Sequence, residues 1–170
     1  MSHVHHSFAK IDECIEALNQ GGLVALPTET VYGLAADARN ESAIERVFRL
    51  KGRPLNKPLI VHISKASDLS QWATTIPDYA WTWAKMFWPG PLTMVFPRRP
   101  EVSTIITAGQ DTVALRVPNH PQTLELLERW GGAFVAPSAN RYGHISPTSA
   151  SDVLDEFGED APTTLDGGSC

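Results

Sequence analysis

Three cations, Lys51, Arg53 and Lys57, stand within seven residues in a loop that Pro54 and Pro58 bound, with Arg49 just ahead of them. A guanidinium offers phosphate oxygens a two-pronged fork and an ammonium a compact point charge, so the cluster suits a polyphosphate. Cations at the end of a helix also complement its dipole, and a solvated helix terminus would look the same. Upstream, Thr28-Glu29-Thr30 packs two hydroxyls and a carboxylate at a strand end, where the threonines could equally be ordinary β-formers. His62 ends an apolar strand and reads as a satisfied core histidine or a ligand contact. Arg116 sits in another apolar strand and reads as a buried, paired arginine or a carboxylate partner. Ser138 and Asn140 are turn formers as much as polar ligands. No G-x-x-x-x-G-K-[ST] loop, G-x-S-x-G elbow, His-x-x-x-His or Cys-x-x-Cys occurs. What remains is an inventory for holding and neutralising charge rather than for covalent catalysis.

The elements that must carry these groups follow from periodicity. The apolar run 23–26, between Gly21-Gly22 and Pro27, reads as a buried strand. A helix over 41–50 places Ile44, Val47, Phe48 and Lys51 at i, i+3, i+4 and i+7. Strands are expected at 59–61, 92–96, 113–117 and 133–136. Helices are expected at 12–20, from Ser64 through Trp72, at 77–87, from Pro121 to Gly131-Gly132, and at 152–157 behind a Thr148 or Ser149 cap. Trp81, Trp83, Phe87 and Trp88 on the 77–87 helix suit either core packing or base stacking, and core is the expectation. Strands alternating with helices indicate an α/β fold. The 92–96 and 113–117 pair, joined without a clear helix, makes a mixed sheet the expectation.

These blocks, taken together, resemble the YrdC family of threonylcarbamoyl-adenylate synthases that act in tRNA modification. The likeness rests on the PTET-VYGL block at 27–34, Lys51-x-Arg53-Pro54, KPLIVH ending at His62, Trp88-Pro-Gly-Pro-Leu-Thr93, ALRVP at 114–118 and Pro137-Ser-Ala-Asn140. It extends from about residue 11 to 168. The resemblance implies a single-domain YrdC-like α/β fold, a twisted mixed β-sheet flanked by helices, over 11–170 behind a flexible N-terminus, 1–10. It implies condensation of L-threonine, bicarbonate and ATP, with Mg2+ accompanying the nucleotide, into threonylcarbamoyl-adenylate and pyrophosphate. A threonylcarbamoyl-transferase complex would receive the adenylate. Arg53, Lys57, Thr112, Ser138 and Ser146 fall on positions implied to contact ATP. Lys51, Arg53, Ser138 and Asn140 fall on the family's catalytic set, and Thr30, His62, Arg116 and Ala136 on positions implied to hold threonine. Glu29 is left open between a magnesium role and an amine role. Replacing Lys51 or Arg53 is expected to spare the fold, since both read as exposed loop residues. Family members continue past the Asp166-Gly-Gly turn into a Glu-Ser-Thr strand and an Arg-Pro-Gly stretch that this chain lacks. The expectation is a chain shortened relative to its natural form or a weakly active variant. Its nucleotide site would be open on one side and its tail poorly anchored after about Asp160.

Composition narrows the field. A chain of 170 residues, 42% hydrophobic, can bury one core, and two cysteines make no disulfide framework or zinc site. Cys14, in the stripe Ile11, Cys14, Ile15 and Leu18, is expected to be buried. No apolar run reaches membrane-spanning length and the N-terminus lacks a signal-peptide core, so no membrane association and a cytoplasmic location are expected. His3, His5 and His6 near the terminus are set aside as metal ligands. The net charge is −5, and the six acids from residue 151 onward account for more than all of it, leaving +1 for 1–150. A generically basic nucleic-acid binder is thereby disfavoured, while a weak tRNA or double-stranded RNA contact through a local patch stays open. Two competing functions are an RNA-binding module without synthase activity and a carbamoyl-adenylate-forming domain like that of hydrogenase maturation proteins. The second lacks its expected zinc-finger and acylphosphatase-like companions here.

Overall fold

The computed structural model describes residues 8–170, so His3, His5 and His6 lie outside the described residues. The elements in order are α1 (Ile11–Asn19), β1 (Val24–Leu26), β2 (Gly33–Asp37), α2 (Glu41–Lys51) and β3 (Ile60–His62). A 3-10 turn (Ala66–Gln71), α3 (Asp78–Phe87), β4 (Met94–Pro97), α4 (Thr104–Thr107) and β5 (Thr112–Arg116) follow. The chain continues through α5 (Pro121–Trp130), β6 (Phe134–Val135), α6 (Ala150–Phe157), a second 3-10 turn (Gly158–Asp160) and β7 (Thr163–Thr164). The strands form one sheet in the order β4-β5-β3-β6-β2-β1-β7. β3 with β5 and β1 with β7 run parallel and the remaining pairs antiparallel, so the sheet is mixed as expected.

Successive side chains of a strand point to opposite faces. Ala25, Leu34, Ala36, Val61, Val113, Leu115 and Val135 turn to one face, where Ile44, Val47 and Phe48 of α2 and Val153 and Phe157 of α6 cover them. Burying each such large side chain contributes about 1.5–3 kcal/mol. Val24, Leu26, Ala35 and Phe134 turn to the other face, under Cys14 and Leu18 of α1 and Leu126 and Leu127 of α5. Burial pushes the Cys14 thiol up to about 12, with Glu13 adding to the shift, which makes it inert packing as expected. The second cover stops short of β5 and β4, while His62 of β3 stays buried against Phe134. Thr112, Ala114 and Arg116 stay partly exposed while Val113 and Leu115 are buried, and Val95 is 62% exposed. Half of one sheet face is therefore open, and the candidate site lies there.

Three expectations need correction. The tail after Asp160 is anchored rather than loose. Thr163 and Thr164 pair with Val24 and Ala25, and Leu165 is buried. Tyr32 Oη donates to the Gly168 carbonyl (2.8 Å) and accepts from Gly167 N–H (3.1 Å), and Cys170 N–H donates to the Thr148 carbonyl (2.9 Å). Nor is the N-terminal stretch free throughout 1–10, since Ala9 N–H donates to the Thr164 carbonyl at 2.9 Å. The aromatics of α3 are not core. Trp81, Trp83 and Phe87 are 40%, 46% and 50% exposed, because this outer helix seats itself through the small Ala80 and Ala84. Three further elements, β2, α4 and β7, lie outside those expected from sequence. In β2 the run Gly33-Leu-Ala-Ala has little intrinsic strand preference, and complete burial between neighbours overrides that.

Candidate functional site

The parallel pairing of β3 and β5 sets the layout. Ile60 lies opposite Ala114 and His62 opposite Arg116, with Thr112 two residues nearer the strand start on the same face. Thr112 and Arg116, four residues apart, are separated by roughly 13 Å along the strand. The loop that delivers Arg53 and Lys57 enters at the start of β3, so those cations and Thr112 share one end. His62 and Arg116 share the other. β6 runs antiparallel to β3, which brings Ala136 N–H to the Ile60 carbonyl (3.3 Å) between the two ends. The chain after it carries Ser138 and Asn140 to the cationic end.

Lys51 organises that end. It closes the last turn of α2, whose N-terminus is capped by the Asn40 side chain and whose C-terminus ends on Gly52 in the left-handed region (φ 61°). Lys51 is not the exposed loop cation expected from sequence: it is 3% exposed, and its Nζ donates to the carbonyls of Ser138 and Asn140. Its place on the stripe of Ile44, Val47 and Phe48 is the sequence sign of that burial. Burial pushes the ammonium down to about 8, the Arg53 charge adds to that and Glu156 opposes it. Lys51 is thus a charged clamp on the 138–140 loop. Arg53 is half-buried and closes its own loop through Nη2 to the Pro58 carbonyl (3.1 Å), while Lys57 is exposed. Buried Arg53 Nε and Asn140 Oδ1 have no hydrogen-bond partner among the described residues. Asn140 Nδ2 donates to the carbonyls of Arg141 (2.8 Å) and His144 (3.0 Å), shaping the loop to Ser146.

At the other end, His62 is 3% exposed and stacks on Phe134 with ring centroids 5.6 Å apart. Burial pushes it down to about 4, Arg116 adds to this, and the Ile60 carbonyl and Glu29 oppose it. The ring is therefore neutral at neutral pH. Nδ1 lies 3.3 Å from the Ile60 carbonyl, and a proton placed there leaves Nε2 as an acceptor. Arg116 pairs with Glu29 through Nη2 and donates from Nε to the Gly90 carbonyl (3.3 Å). Both structural and ligand readings of this arginine thus keep a physical basis: it is paired, yet Nη1 has no partner among the described residues.

Thr28 and Thr30 are in a loop, not on a strand end. Thr28 Oγ1 donates to the Val31 carbonyl (2.7 Å), accepts from Thr30 N–H (3.2 Å) and Val31 N–H (3.2 Å), and lies 3.1 Å from Thr30 Oγ1. Hydroxyls commonly close turns this way. The loop is pinned by Thr123 Oγ1 donating to the Pro27 carbonyl (2.6 Å). Tyr32 N–H donates to Pro147 and Ala139 N–H to Tyr32, so the same loop touches the segment carrying Ser138 and Ser146. Tyr32 lies in the PTET-VYGL block but has no role assigned from sequence, and Asn119, whose N–H donates to Glu29 at 3.0 Å, has no local mark of its own. Among the described residues no three His, Cys, Asp or Glu side chains converge to hold a metal. No described helix is long and apolar enough to cross a membrane. A surface cleft of about 390 Å3 away from these residues is lined by Arg39, Ser64, Asp68, Trp72 and Gly132.

Comparison with known proteins places the fold. A threonylcarbamoyl-AMP synthase of Pyrococcus abyssi is 48% identical over 151 residues, covering 89% of this chain and 44% of the relative. One from Bacillus subtilis is 42% identical over 160 residues, covering 94% and 46%. The structure of P. abyssi Sua5 complexed with L-threonine superposes with a TM-score of 0.91 at 46% identity, covering 94% of this chain and 47% of that one. The chain spans about half the length of these curated relatives. The family model for Sua5, YciO and YrdC proteins, described as telomere recombination, matches residues 16–170. With nine-tenths of its length accounted for in this way, the chain belongs to the Sua5/YciO/YrdC family.

Proposed function

We propose that this chain carries the active site of an L-threonylcarbamoyladenylate synthase working in tRNA threonylcarbamoyladenosine formation. The observation that supports it most is the open face of β5 beside β3, with cations and hydroxyls at one end and an arginine beside a neutral histidine at the other. The threonine amine attacks bicarbonate carbon and water leaves, giving a carbamate. A carbamate oxygen then attacks the α-phosphorus of ATP in line, and pyrophosphate departs. No protein nucleophile is required, in keeping with the absence of a G-x-S-x-G elbow in the sequence.

Arg53, Lys57, Thr112, Ser138 and Ser146 hold the nucleotide. Arg53 Nε supplies a donor that lacks a described partner, and the Thr112, Ser138 and Ser146 hydroxyls make no hydrogen bond to other described residues. Lys51 and Asn140 shape the loop that presents Ser138, and the Lys51 charge helps offset that of the departing pyrophosphate. Mg2+ arrives as part of the ATP complex, since Glu29 has donors on both carboxylate oxygens. Thr30, His62, Arg116 and Ala136 hold threonine, with Arg116 facing its carboxylate and His62 Nε2 accepting from a hydroxyl or amine proton. The adenylate passes to a threonylcarbamoyl-transferase complex. A weak tRNA contact is a second reading, favoured by the half-exposed Trp81, Trp83 and Phe87, aromatic rings of a kind that stacks on bases. The test is pyrophosphate release from MgATP with L-threonine and bicarbonate each omitted in turn. Release that requires both supports the assignment, and equal release without threonine contradicts it.

A further inference from the structure

Glu29 is the carboxylate at the amino-acid end of the open face, and its two oxygens are divided between two tasks. One pairs with Arg116 Nη2 and the other accepts from Asn119 N–H at 3.0 Å. The side chains of Glu29 and Arg116 are only 18% and 12% exposed, so this is a sheltered pair rather than a surface one. The Gly90 carbonyl takes Arg116 Nε at 3.3 Å from another direction. Two of the three guanidinium nitrogens are therefore committed, and the third, Nη1, has no partner among the described residues. The long side chain of a strand arginine is mobile unless it is tied, and a tied one loses less entropy when a ligand arrives. The pairing also cancels the charge of Arg116. A carboxylate reaching Nη1 meets an aligned donor beside a negative group, and the ammonium of the same molecule can lie against that negative group.

We propose that Glu29 is a positioning and specificity residue: it aims Arg116 into the open face and converts a plain anion site into one matched to a zwitterionic α-amino acid. The inference rests on the reading of this end as the threonine subsite. The groups facing the pair from adjoining elements are the His62 ring of β3 and the Cys170 thiol of the tail, and burial keeps both uncharged at neutral pH. Glu29 itself stays ionised. Burial pushes it up, but its own backbone N–H, the Arg116 guanidinium and the Asn119 N–H, with the Arg116 charge, together hold it below the usual carboxylate value.

The test compares the parent with Glu29→Gln, which keeps the shape and one acceptor but frees the Arg116 charge. Calorimetry is run with L-threonine, with 2,3-dihydroxybutyrate, in which a hydroxyl replaces the amine, and with ATP. The inference predicts that the variant loses roughly tenfold in threonine affinity and gains several-fold for the hydroxy acid, with a new dependence on salt. ATP affinity stays within about twofold of the parent. A residue that merely braced the loop would weaken both amino acid and nucleotide without inverting the preference, and that result overturns the inference. A parent that binds no threonine would instead refute the subsite reading. In that case Glu29 is judged by the Arg116 Nε–H signal in NMR, which must lose exchange protection in the variant; an unchanged signal overturns the positioning role.

Discussion

Replacing Lys51 by Met keeps the aliphatic stem and removes the ammonium that clamps the Ser138 and Asn140 carbonyls. Two hydrogen bonds from a charged donor are worth about 1.5–3 kcal/mol each, or about 3–6 kcal/mol together. Against that stands the cost of keeping the charge from water. A shift from 10.5 to about 8 corresponds to about 3 kcal/mol at neutral pH. The difference is a net destabilisation of at most about 3 kcal/mol, small enough for most domains to remain folded. The 138–146 segment then loses its tether, and amide exchange there should rise well before global unfolding. The pH dependence adds a second signature. A lysine whose folded value is lowered gives up its proton earlier in the folded chain than in the unfolded one. Stability of the parent relative to the Met variant therefore increases as pH rises from about 8 towards 10.5. The expected gain is on the order of 2 kcal/mol by pH 10. Urea melts at pH 7 and pH 10, with exchange measured residue by residue, read both effects. Parallel stability curves together with unchanged exchange at 138–146 would refute the clamp.

Arg53→Ala removes the half-buried guanidinium proposed as a phosphate donor, so ATP affinity should fall about tenfold or more while the melting temperature stays near the parent's; undiminished affinity by calorimetry sinks the assignment. His62 is expected to cost stability in acid. Its folded value of about 4 lies below the usual 6.5, so stability is lost as pH falls through that window. The loss is on the order of 3 kcal/mol, and a His62→Gln variant should lack this component of the acid titration. Tyr32→Phe breaks the contacts to Gly167 and Gly168, costing about 1–2 kcal/mol; limited proteolysis should then cut the 166–170 tail faster, and an unchanged cleavage rate would show the tail is held by β7 alone.

Much of this architecture was legible because periodicity and capping are local. The stripe on α2, Pro121 at the start of α5 and the Gly131 stop all follow from residues a few places apart. The open half-face was not legible, because it depends on which helices fail to cover β4 and β5. The small residues of β2 hid a central strand, since burial there comes from neighbours distant in the chain. At the candidate site, the residue types were plain in the sequence, but the states that the fold gives them were not. Lys51 became a buried clamp because the 138–140 loop folds over it, and Glu29 found its partner 87 positions away. The aromatics of α3 misled for the opposite reason: large apolar side chains predict burial only where a helix presents them to a core.

The most direct test of the proposed chemistry uses isotope-labelled bicarbonate with L-threonine and MgATP, and reads the products by mass spectrometry. The chemistry predicts threonylcarbamoyl-adenylate carrying the label in its carbamoyl carbon, formed one-for-one with pyrophosphate and lost in the Arg53→Ala protein. An unlabelled threonyl-adenylate, or pyrophosphate formed with no labelled adenylate, would contradict it.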